Sequence, residues 1–196
     1  WGVQLSYGKD FQGPWAMSSK VEYQMGKTDF RLDYRPSPVT LINIDTLNQS
    51  DDRLYMESFL IGTYAAPGAL REDWALHPVI GATFQRNYIG EVTNSLGVPS
   101  GGETDDYGMV TAKVTLSKSM KPSPALQVLP SFGIGLEHEY TNDLDSYLSD
   151  RTYGVASIGV TFSKMGQQFN VAYTHYEGLD GNRSQNVLTA VLGLTF

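Results

Sequence analysis

The feature that most constrains this chain is an apolar period of two that runs to its last residue. In Gln185 to Phe196 (QNVLTAVLGLTF), Leu188, Ala190, Leu192, Leu194 and Phe196 fall on one side of an extended chain. Val187, Thr189, Val191, Gly193 and Thr195 fall on the other. Only a β-strand keeps such a stripe on one face, because successive side chains point to opposite sides. A strand this apolar needs cover for its stripe and a partner for each edge, or it becomes a template for aggregation. A sheet closed on itself meets the second need.

The same alternation recurs along the chain. Phe30, Leu32 and Tyr34 oppose Arg31, Asp33 and Arg35 between Asp29 and Arg35, a pattern no helix produces. Val110, Ala112, Val114 and Leu116 oppose Thr111, Lys113, Thr115 and Ser117. Phe132, Ile134 and Leu136 oppose Ser131, Gly133, Gly135 and Glu137, and Ile158, Val160 and Phe162 oppose Ser157, Gly159, Thr161 and Ser163. Counted this way there are about ten strands, near 2–11, 15–25, 29–35, 53–65, 77–90, 107–118, 127–140, 152–164, 168–177 and 186–196. The links alternate in length. Gly26-Lys27-Thr28 and Met165 to Gln167 read as tight turns after even-numbered strands, and long polar links 36–52, 91–106 and 141–151 follow odd-numbered ones. Within the first long link, Val39 to Leu47 is unusually apolar, and reads as a hairpin arm or a partner contact.

Composition closes several alternatives. The 196 residues fit a single domain, 1–196, and no stretch nears the roughly 18 consecutive apolar residues of a spanning helix. A net charge of −7 leaves no basic face for nucleic acid. With no cysteine, disulfide frameworks, thiol chemistry and cysteine zinc sites are all excluded. Trp1 opens directly on a strand pattern, so the chain reads as mature or trimmed.

Taken together, the chain resembles the small bacterial outer-membrane β-barrel proteins. The resemblance covers the whole length but rests on pattern, with Leu192, Leu194 and Phe196 similar to the terminal signal read by the barrel-assembly machinery. An aromatic residue commonly stands two before the end in that signal; here the position is Leu194. The resemblance implies a transmembrane antiparallel up-and-down β-barrel with short periplasmic turns, long outer loops and both termini periplasmic. It further implies outer-membrane lipid and lipopolysaccharide as surroundings, a monomer, and no cofactor. A soluble sandwich or lipocalin-like barrel shows the same period with its apolar face turned inward, and periodicity alone does not distinguish the two.

With the apolar face outward, Lys20, Glu22, Arg31, Asp33, Arg35, Glu57, Lys113, Glu137 and Glu139 form a lumen charge network of mixed sign, expected to pair internally. Outer-membrane hydrolase patterns are not met. In Glu137-His138-Glu139 the histidine points away from both neighbours, and His175-Tyr176-Glu177 offers no serine. His77, His138 and His175 read as scattered rim residues, with no metal site. Acidic residues of the long links, Glu91, Glu103, Asp105, Asp106, Asp143, Asp145 and Asp150, read as solvated loop surface. The expected function is non-enzymatic, with long loops presented for adhesion or contact with an extracellular ligand. A narrow pore for small solutes or ions is the alternative, and an autotransporter-like translocator a further one.

Overall fold

The structure is a computed structural model that describes residues 1–37, 40–67, 73–143 and 150–194. Among these there is no helix. The elements are β1 (Gly2–Asp10), β2 (Trp15–Gln24), β3 (Lys27–Ser37), β4 (Thr40–Gly62), β5 (Tyr64–Ala65), β6 (Trp74–Ile89), β7 (Val92–Thr93), β8 (Pro99–Ser100), β9 (Glu103–Lys118), β10 (Met120–Ser123), β11 (Leu126–Asn142), β12 (Thr152–Lys164), β13 (Gln167–Gly178) and β14 (Ser184–Leu194). One antiparallel sheet runs β1-β2-β4-β6-β9-β11-β12-β13-β14 and curls into a half-barrel. β3 pairs β4, β5 pairs β6, β10 pairs β11, and β7 and β8 form a separate two-stranded ribbon.

The segment expected as a third stave is instead an extension of the second. Gln24 stands opposite Arg53, and Lys27 and Thr28 stand opposite Ser50 and Gln49 in unbroken register. Lys27 and Thr28 are therefore strand and not turn, and Gly26, in the two-residue break before them, has no positive φ and accepts from the Asp51 amide. At Met165-Gly166 consecutive positive φ values of 46° and 78° make the tight two-residue hairpin that strand twist favours. The main path thus holds nine strands. Its odd number sets the start of β1 and the end of β14 at opposite ends of the sheet. β1 starts beside Gln24, whereas β14 reaches Leu194 beside Gln167.

β3 with Thr40 to Ser50 of β4 forms an arm beyond the sheet, in place of the loop expected over 36–52. Ser95 braces it: its amide donates to Asp45 O at 2.8 Å and its Oγ accepts from Asp45 N at 2.9 Å. Residues 90–102, 143, 150–151 and 179–183 lie at this arm end. Residues 11–14, 63–67, 73, 119–125 and 165–166 lie at the other. Pro38, Val39 and residues 144–149 of the expected loops, with Thr195 and Phe196 of the terminal signal, lie outside the described residues.

The two faces differ sharply. Ile80, Ile134 and Ile158 on the convex face are 58%, 54% and 61% exposed, while Glu137 and Glu139 on the concave face are 6% and 5% exposed. Leu188 and Leu192 of β14 continue the exposed apolar face. Glycines let the concave face close up. A Cβ on Gly135 would stand 2.6 Å from Ala112 O and 2.9 Å from Lys113 Cα, so Val there forces backbone apart. Gly135→Val is expected to cost about 1–3 kcal/mol in urea unfolding. Gly154→Ala, whose Cβ would meet only ordinary contacts, should change little by the same measurement.

Candidate functional site

The convex face is banded. On β6, Leu76, Pro78, Ile80, Ala82 and Phe84 lie between Trp74 and Arg86; on β9, Val110, Ala112, Val114 and Leu116 lie between Asp106 and Lys118. The two margins are built from paired groups. Lys118 Nζ sits 5.6 Å from the Trp74 ring centroid at one margin, and Arg86 clasps Asp106 through two bonds of 2.7 and 2.6 Å at the other. Trp74 to Arg86 spans roughly 40 Å of strand at ~3.3 Å per residue, or roughly 30 Å along an axis tilted by about 40°. Polar pairs continue the arm-end margin around the sheet. Tyr23 donates to Asp52 at 3.1 Å, His138 Nδ1 meets Thr152 Oγ1 at 2.9 Å, and His175 Nδ1 meets Asn186 Oδ1 at 2.8 Å. His138 thus stands on the face opposite Glu137 and Glu139. His77, at the other end, is held by Ser117 and Thr63.

The concave face gathers six of the nine expected lumen charges into two groups. In the first, Lys20 reaches Glu57 and Glu22 at 3.8 Å each, and Arg53 reaches Glu22 at 3.4 Å. Tyr55 donates to Glu57 at 2.6 Å, and its ring lies 4.6 Å beneath the Lys20 ammonium. In the second, Lys113 pairs with Glu137. Glu139 accepts from Asn142 at 2.7 Å and Tyr107 at 3.4 Å, and faces Arg183 at 3.8 Å. Arg183 also donates to the Tyr153 hydroxyl at 2.9 Å and stacks over that ring. These residues other than Lys113, with Met109, Tyr176, Gln185 and Val187, line a cleft of about 550 Å³ at the arm end.

Arg31, Asp33 and Arg35 do not join either group. β3 keeps the phase of β2, because the register shift between Thr28 and Phe30 adds its extra residue to β4; Phe30, Leu32 and Tyr34 thus share the phase of Gln24, the concave one, and the three charges turn to the other side. Arg31 pairs instead with Asp45 on the arm, at 2.7 and 3.2 Å. Those hydrogen bonds hold the Asp45 carboxyl below the usual carboxylate range. Since its folded pKa is the lower one, this contribution is present above the unfolded value and is lost as pH falls through the folded one. Hydrogen exchange, corrected for intrinsic rate, should accelerate in β3 and β4 below about pH 4. Asp45→Asn should be faster already at neutral pH and insensitive to that acid step.

Sequence reasoning passed over Arg53, Tyr55, Asn142, Tyr176 and Arg183, and it read Tyr107 and Tyr153 as interfacial girdle aromatics, whereas both line the cleft. Tyr107 is in phase with Lys113, and Tyr153 with Ser157, so period two alone assigns both to the concave face. Asp150 departs from the expected solvated loop surface: it is 1% exposed and accepts from the Asn182 amide at 2.9 Å. Among the described residues no group of His, Asp and Glu is placed to hold a metal ion.

Comparison with protein-family models, with curated proteins and with solved structures found no match. The class therefore rests on architecture alone: an all-β chain whose antiparallel sheet forms a half-barrel, apolar on its convex face and ion-paired on its concave one.

Proposed function

We propose that the chain is the wall of a bacterial outer-membrane β-barrel, non-enzymatic, that presents its arm end to the exterior for contact with a partner or ligand. One observation carries the reading: the face that water would have to cover is the apolar one. A soluble sandwich or lipocalin-like barrel buries that face and solvates its charges. Here the charges line the concavity, and the apolar band has about the ~25 Å height that lipid demands, between aromatic and charged margins. In lipid an unpaired strand edge costs several kcal/mol per group, so the β1 and β14 edges are paired there and the barrel is closed. Those edges run in the same direction, so direct contact between them is parallel, and a strand placed between them is antiparallel to both.

The arm supports the contact role. Phe30, Leu32 and Tyr34 are exposed on a strand whose outer edge has no partner among the described residues. Apolar side chains beside a free edge suit recognition by strand addition. The expected results are a detergent-requiring protein whose unheated gel mobility differs from the boiled form, and cell adhesion that falls when residues 30–46 are replaced by a short turn. A monomer soluble without detergent overturns the membrane reading, and unchanged adhesion overturns the contact role. The paired charges on the concave face favour a narrow pore as second reading, which planar-bilayer recordings without current steps would remove.

A further inference from the structure

We propose that the arm-end cleft binds an uncharged, polyhydroxylated small solute of the mono- or disaccharide class. Its volume of about 550 Å³ lies within the range of small-molecule sites. The charged groups at the cleft are already engaged with one another. An organic cation would be held by carboxylates and aromatic faces, but this chain's own cations occupy both. Lys113 pairs with Glu137 and lies 6.0 Å from the Tyr176 ring centroid; Arg183 faces Glu139 and lies 5.6 Å from that of Tyr153. An anion meets the converse obstacle, since each cation is answered by a buried carboxylate. The lining carries two carboxylates and one guanidinium, and Lys113, paired with Glu137 from outside the lining, brings the local charge to balance.

Hydrogen-bonding capacity remains on neutral groups. The Tyr176 hydroxyl and the Gln185 side-chain amide line the cleft with no hydrogen-bond partner among the described residues. Met109 and Val187 supply an apolar patch beside them. Amide and phenol groups suit hydroxyls that donate and accept together, while the apolar patch suits the C–H face of a sugar ring. The cleft lies on the concave face, so the assignment stands independently of what covers the convex one.

The test uses the full chain folded in a detergent without a sugar headgroup. Ligand-observed NMR titrations employ glucose, maltose and sorbitol, with tetramethylammonium and acetate as charged probes. At least one neutral probe is expected to bind, and Tyr176→Phe and Gln185→Ala should each weaken it about three- to tenfold, as loss of a neutral hydrogen bond implies. An unchanged thermal midpoint shows that the variants remain folded. The proposal is overturned if no neutral probe binds, if a charged probe binds more tightly, or if both variants bind as the parent does.

Discussion

Replacing Ile158 by Arg should destabilise the protein in lipid bilayers by about 2–4 kcal/mol, the cost of a cation on the lipid face at the membrane midplane. Ile158 lies midway along the outward row of β12, between Thr152 at the arm-end margin and Lys164 at the opposite end. Its 61% exposure makes the test sharp, because the two environments predict different results. If that surface meets water, the arginine touches nothing and the change stays within about 0.5 kcal/mol. If it meets lipid, the guanidinium must be dragged towards a headgroup or desolvated. Thr152→Arg, at the polar margin, should cost about 0–1 kcal/mol, as depth dependence requires. Urea titrations in liposomes measure all three proteins, and equal stability of the parent and Ile158→Arg would sink the membrane reading.

Much of the sheet was legible because its strands carry their faces in the sequence. From Ser131 to Glu137 and Ser157 to Ser163 small or polar residues alternate with large apolar ones, and the structure sorts these onto concave and convex faces. The joining of β2 to β3 was not legible. Gly26 invites a turn, yet the local sequence does not reveal that β4 is long enough, at 23 residues, to pair with both segments. That error carried a second one, since a new strand was free to choose its own phase, whereas a continued one inherits it. Hence Phe30, Leu32 and Tyr34 changed face and Arg31, Asp33 and Arg35 left the charge network. The cleft was half legible. Lys113, Glu137 and Glu139 follow from strand phase, but Arg183 comes from the link ahead of β14, where no periodicity points a side chain anywhere.

Removing the Lys113 ammonium should be the most damaging change on the concave face. Glu137 has a side chain only 7% exposed, and Lys113 is its cation. Lys113→Met keeps a long apolar stem but strands a nearly buried carboxylate. Breaking a fully buried pair in this way costs about 3–5 kcal/mol; the 31% exposure of Lys113 shows water at one side of this pair, which brings the expectation to about 2–3 kcal/mol. Adding Glu137→Leu should restore most of that loss, because it takes away the stranded charge and leaves two apolar chains of similar size. A double-mutant cycle by urea unfolding in liposomes isolates the coupling. The outcome also separates scaffold from pore. A lumen packed with side chains leaves Glu137 no substitute for its cation, and the single variant suffers the full expected loss. A water-filled channel hydrates the carboxylate, and the same variant then loses less than about 0.5 kcal/mol.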